Sequence, residues 1–207
     1  MRTFDRTTTT AVSIDMHRGH LDPEVATMPL PAENCRRVIG AAGRFFGALR
    51  SRGVPIVHVV TVYRDPSEAA ANPFWNAIAG DASMKRASNV RHNLAGSPGT
   101  QIVPELFDAR DLVVDRKKRY DCFHETDLDF VLRRKLGAST LILTGVNTTS
   151  CVQCTAFTAH ARDYQVVIAS DCVDSMDGEE MHRFALRNMA ATVGWVLSGE
   201  QILEALR

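Results

Sequence analysis

The sequence predicts an α/β protein, a three-layer α/β/α sandwich built on a central, mostly parallel sheet. Short apolar, β-leaning runs alternate with stretches whose apolar residues recur at helical spacing, the rhythm of parallel strands joined by crossover helices. Apolar residues make up 45% of the chain and charged residues 23%, the balance of an ordinary soluble globule. Three reactive side chains, Asp15, Lys117 and Cys151, each fall at or just past the end of a different predicted strand. That edge is where open parallel sheets bind ligands.

The first strand is expected over residues 10–15 and ends on Asp15. After a Pro-punctuated loop, residues 32–52 carry Val38, Ala41, Ala42, Phe45, Phe46 and Leu49 at helical spacing and stop at Gly53. Residues 55–62 read as a buried second strand and 112–115 as a third. A helix over 126–136 follows, with Gly137 behind it. Residues 140–144 form a fourth strand, and a buried helix opens at Cys151. Residues 165–170 are a fifth strand, 179–191 a helix and 194–197 a short sixth strand before the last helix. The connection over 63–106 is the least regular part, with Asn72-Pro73-Phe74-Trp75 and Ala95-Gly96-Ser97-Pro98-Gly99 read as irregular structure. A connection of this length is either part of a pocket or a plain surface excursion.

At 207 residues the chain suits one domain over 1–207. Its 24 basic and 24 acidic side chains cancel, so no net field favours nucleic acid or an anionic membrane. The start, Met1-Arg2-Thr3-Phe4-Asp5-Arg6-Thr7, lacks the apolar stretch of a signal peptide, and no run is long enough to span a bilayer. Five cysteines, an odd and scattered set, argue against a disulfide framework and point to a reduced, cytoplasmic compartment.

The densest chemistry lies in Thr140-Leu141-Ile142-Leu143-Thr144-Gly145-Val146-Asn147-Thr148-Thr149-Ser150-Cys151. A thiol where a strand, a glycine and a polar turn feed a helix N-terminus is expected to have a lowered pKa. The converging N–H groups there can hold an oxyanion. The alternative is a buried structural thiol. Cys154 completes a C-x-x-C, which reads as helix packing, as a redox pair or as half a zinc site, although no second Cys/His pair is visible. Asp15 is either a turn-capping carboxylate or an acid that takes and returns the thiol proton. Of Arg116-Lys117-Lys118-Arg119, one inward lysine would favour thiolate and oxyanion alike. The seven histidines (17, 20, 58, 92, 124, 160 and 182) show no metal-binding spacing. His17 and His20 could contribute a ligand, but packing or surface roles are expected. Tyr63, Trp75 and Phe123 would wall an apolar slot or sit in the core.

Three segments together resemble the isochorismatase-like cysteine hydrolases, the superfamily of N-carbamoylsarcosine amidase, nicotinamidase, ureidoacrylate amidohydrolase and biuret amidohydrolase. They are Val12-Ser13-Ile14-Asp15-Met16, Lys117-Lys118-Arg119-Tyr120-Asp121-Cys122-Phe123-His124-Glu125-Thr126-Asp127-Leu128, and Thr144-Gly145-Val146-Asn147-Thr148-Thr149-Ser150-Cys151-Val152-Gln153-Cys154-Thr155. The resemblance places the catalytic aspartate, lysine and cysteine on Asp15, Lys117 and Cys151. It implies a non-proline cis peptide between Val146 and Asn147 and an oxyanion hole formed by the Asn147 and Cys151 N–H groups.

The resemblance further implies cleavage of a C–N bond in a small amide or ureido compound through a thioester, with release of ammonia and no cofactor. It also implies a homo-oligomer, a dimer or tetramer. Two other readings stay open: vinyl-ether hydrolysis of an isochorismate-type substrate, and a redox or ligand-binding module using Cys151 and Cys154. Two departures stand out. His17-Arg18-Gly19-His20 replaces the usual Gln, Asn or Asp, and Phe after the Asp-Met pair, so His20 is expected at the substrate. Val62-Tyr63-Arg64-Asp65-Pro66 replaces the Asp-x-His-Pro type segment of metal-binding nicotinamidases, which leaves Arg64 either to receive a substrate carboxylate or to lie on the surface.

Overall fold

The computed structural model describes residues 3–207. Six strands run parallel in one sheet: β1 (Thr9–Ile14), β2 (Ile56–Thr61), β3 (Leu112–Lys117), β4 (Thr140–Val146), β5 (Gln165–Asp174) and β6 (Gly194–Leu197). They lie in the order β3-β2-β1-β4-β5-β6. The chain builds outward from β1 through β2 to β3, then returns to the centre and builds the other way from β4. The switch point is therefore the seam between β1 and β4, which pair from Thr9 with Thr140 to Ile14 with Gly145. A crevice opens at such a seam beyond the carboxyl ends of the strands.

Helices cover both faces, so the central strands β1, β2 and β4 are buried throughout. Two-sided burial explains why they read as near-continuous apolar runs without alternation. Successive residues still face opposite layers. Ala11, Ile56, Ile142 and Val167 meet Val38, Phe45, Phe46 and Leu49 of α2 (Ala32–Ser51) and Ile202 of α8 (Gly199–Ala205). On the other face Val12, Val57, Leu141 and Leu143 meet Leu128, Leu132, Val152 and Ala156, with Met189 of α7 (Glu179–Thr192).

The structure departs from the sequence expectations in three places. The segment over 126–136 is one α turn, α5 (Leu128–Phe130), followed by a π turn (Val131–Lys135) closed by Leu136 N–H donating to the Val131 carbonyl. Cys151 does not open its helix directly. It sits in a π turn (Thr148–Val152), closed by Val152 N–H donating to the Asn147 carbonyl, and α6 (Gln153–Ala161) continues from there. The excursion after β2 is more ordered than expected. It holds α3 (Pro66–Ala70) and α4 (Pro73–Ile78), whose N-termini are capped by the side chains of Asp65 and Asn72, each with proline in the first turn. The short α1 (Arg18–Leu21) follows β1 directly. Among the described residues no helix is long and apolar enough to cross a membrane.

Gly145 is required at the seam. Its φ is +110°, and a Cβ there would lie 2.0 Å from the carbonyl oxygen of Ile14 on the neighbouring strand. Gly145→Ala must push β4 from β1 while holding a left-handed backbone. We expect about 2–3 kcal/mol of destabilisation from overpacking and backbone strain together, readable as a lowered urea midpoint. An unchanged midpoint would show that the seam can yield.

Candidate active site

Asp15 is the first residue after β1, Lys117 the last of β3 and Cys151 lies past β4 in its π turn. Parallel pairing brings all three to one edge. Asp15 has φ +51°, a conformation that aspartate tolerates better than most residues. Its Oδ1 accepts from the Thr61 N–H (2.9 Å) and the Thr61 Oγ1 hydroxyl (2.8 Å), and its Oδ2 accepts from Lys117 Nζ at 2.6 Å. Lys117 Nζ also donates to Thr61 Oγ1 (2.9 Å) and lies 3.4 Å from Cys151 Sγ. Asp15 and Lys117 are each 1% exposed, so the pair is removed from water and each charge depends on the other. Thr61 carries no chemistry in the sequence reading. Its position at the end of β2, beside β1, is the one signal that could have found it.

Burial opposes ionisation of Asp15, yet the Lys117 ammonium beside it and the neighbouring His17 imidazole outweigh it and hold its carboxyl well below the usual range. Burial likewise opposes the charge on Lys117, while Asp15 and Cys151 drive its pKa well above that of a free lysine. The expectation of a lowered thiol pKa at Cys151 is corrected. Burial pushes the thiol up to about 11, with Lys117 pulling it down and Asp15 pushing it up. Desolvation outweighs the pull of the lysine at this sulfur.

The Val146–Asn147 peptide bond is cis, where the resemblance implies it. The Asn147 side-chain Oδ1 accepts from the Met176 N–H at 2.8 Å. Asn147 and Cys151 both line the cavity that contains the Asp15–Lys117 pair. Of the residues expected at a ligand, His20, Tyr63 and Trp75 also line it. The Tyr63 and Trp75 rings meet edge to face, 6.5 Å apart, and the Trp75 indole N–H donates to the Tyr120 hydroxyl. Arg119 stacks its guanidinium 5.3 Å over the Trp75 ring. Arg86, Asn89 and His92 complete the polar wall. These last residues lie in or beyond the excursion, where no periodicity marks which side chains turn inward.

Placement decides readings that the sequence left open and corrects others. Arg64 is 84% exposed and pairs with Glu68 four residues on. It faces a separate surface cavity of about 860 Å³ that contains none of Asp15, Lys117 and Cys151. The alternation of side chains after β2 turns Tyr63 inward and Arg64 out. Phe123 is core, its ring stacked 5.9 Å from Tyr164. Cys154 does not pack its helix against the core. It is exposed, and neither it nor Cys151 is in a disulfide. The histidines do form a cluster: His17, His20 and His92 converge with ligand-type nitrogens within 4.8 Å of one another. His92 comes from far along the chain, so spacing alone could not reveal it. Burial holds His20 down to about 3 and His92 well below the ordinary histidine value.

Fold and site together define a three-layer α/β/α hydrolase of the isochorismatase-like class, with its reactive groups at the carboxyl edge of a parallel sheet. Residues 9–201 match the family model of the isochorismatase domain, and the chain belongs to that family. The ureidoacrylate amidohydrolase RutB of Methylobacterium radiotolerans is 28% identical over 201 residues, covering 93% of this chain and 77% of the relative. A cysteine hydrolase from Pseudomonas syringae pv. phaseolicola 1448A shares the fold at a TM-score of 0.84 with 19% identity, over 99% of this chain and 95% of the other. The N-carbamoylsarcosine amidase of Thermoplasma acidophilum superposes at a TM-score of 0.70 with 23% identity, over 93% and 97%.

Proposed function

We propose that the protein hydrolyses a C–N bond of a small amide or ureido compound, using Cys151 as nucleophile and releasing ammonia. The observation that carries this reading is the buried ammonium of Lys117, 2.6 Å from Asp15 and 3.4 Å from the Cys151 sulfur. A thiol held near 11 is inert until its proton has somewhere to go, and Asp15 is the acceptor at hand. As the sulfur attacks the carbonyl carbon, the proton passes to Asp15 and Lys117 stabilises the developing negative charge. The N–H groups of Asn147 and Cys151 receive the oxyanion. Asp15 then gives its proton to the leaving nitrogen, the C–N bond breaks and ammonia departs, leaving a thioester. Water enters, loses a proton to Asp15 and attacks the thioester carbonyl. The acid leaves, and the proton returns to the sulfur. The matching relatives, named as ureidoacrylate amidohydrolase and N-carbamoylsarcosine amidase, support the bond type.

The test is ammonia release from N-carbamoyl amino acids, biuret, ureidoacrylate, maleamate and nicotinamide, with Asp15→Asn alongside. Ammonia from at least one compound is expected, falling at least about a hundredfold in the variant. A loss of less than about tenfold would remove Asp15 from proton transfer.

A further inference from the structure

Beside Asp15 lies a second cluster for which the amide chemistry has no use. His17 immediately precedes α1 and His20 lies within it, and their rings stack with centroids 4.8 Å apart and an 18° interplanar angle. His92 reaches in from the excursion, its ring 4.5 Å from His20 and 5.4 Å from His17. All three are buried, at 0%, 3% and 2% exposure for His17, His20 and His92.

Their hydrogen bonds leave nitrogens free. His20 Nδ1 donates to the Met28 carbonyl oxygen at 2.8 Å, so its Nε2 keeps an in-plane lone pair at the wall of the catalytic cavity. His92 Nδ1 bonds Thr27 Oγ1 at 2.8 Å, and its buried Nε2 has no partner. His17 Nδ1 is also buried without one. Each such atom has given up its hydration without a replacement hydrogen bond. Of the six buried side-chain atoms without a partner among the described residues, two are imidazole nitrogens of this one cluster, and they call for a ligand.

We infer that His17, His20 and His92 form a binding site for a divalent transition-metal ion of the zinc class, opening into the catalytic cavity. Three imidazoles and no carboxylate or thiolate suit zinc or its neighbours over magnesium or calcium. The Nδ1 bonds to Met28 and Thr27 are the outer contacts that orient metal-binding histidines and set their tautomer. His17 has the corresponding partner in Asp15, whose Oδ1 lies 3.5 Å from His17 Nε2. Ligation by His17 Nδ1 moves its proton to Nε2, facing that carboxylate, and the Asn93 amide that now donates to Nε2 at 2.8 Å must swing away from it while its other proton stays on the Thr61 carbonyl. Nitrogens bound to zinc stand about 3.3 Å apart, so the rings close inward from their present separation on binding. The site does not reuse the positions of the nicotinamidase-type segment, which here reads Val62-Tyr63-Arg64-Asp65-Pro66 and holds no histidine.

The test is titration of chelator-treated protein with CoCl₂, followed by visible absorption, and then displacement with ZnCl₂. One saturable Co²⁺ per chain is expected, with no thiolate-to-cobalt charge-transfer band. Binding should persist in Cys151→Ala and weaken at least about a hundredfold in both His20→Gln and His92→Gln. Thr27→Val, which removes only the outer contact of His92, should weaken it about tenfold and covers the case in which a histidine variant fails to fold. Absence of saturable uptake by the wild type, uptake unchanged in the histidine and threonine variants, or uptake abolished by Cys151→Ala would overturn the assignment. The readout is binding, so it stands apart from the success of the amidase assay.

Discussion

Cys151→Ala is expected to abolish ammonia release, with kcat falling at least about 10⁴-fold, while the fold survives. Removing Sγ takes away the proposed nucleophile. It leaves the Asp15–Lys117 pair intact, since their 2.6 Å contact does not pass through the sulfur. The lost side chain is small and already lines the cavity, so the cavity term stays small. The variant should therefore melt within a few degrees of the parent and bind substrate without turning it over, as equilibrium dialysis with a turned-over compound would show. Turnover near the wild-type rate would exclude the sulfur as nucleophile.

Lys117→Met is expected to cost both stability and activity. Asp15 would keep its two contacts from Thr61 but lose the opposite charge that holds it ionised in the interior. Breaking a buried pair from one side typically costs about 3–5 kcal/mol, which for a chain of this length lowers Tm by about 10 °C or more. The double variant Lys117→Met with Asp15→Asn should recover part of that stability, because no buried charge is left alone, and none of the activity. The folded pKa of Asp15 lies below its unfolded value. Its stabilisation is present above the ordinary aspartate range and lost as the pH falls through the lowered value. The Lys117→Met variant should lose that acid-side dependence. Equal melting of the single and double variants would show that Asp15 left without its lysine costs the fold nothing.

The amino-acid sequence by itself determined the α/β class, the strand–helix order and the alignment of Asp15, Lys117 and Cys151 at strand ends. Apolar periodicity and chain order carry that information, and parallel pairing converts it into proximity with few alternatives. The cis Val146–Asn147 bond was reached through resemblance, not spacing. The tertiary structure alone decided the rest. Thr61 joins the Asp15–Lys117 pair because β2 lies next to β1. Arg64 turns outward and Tyr63 inward because of how the chain leaves β2. His92 meets His17 and His20 because the excursion folds back over the seam. The Cys151 thiol rises where a helix N-terminus predicts a fall, because desolvation depends on everything packed around a group. Local pattern is written along the chain. Burial and through-space charge exist only once distant segments have met.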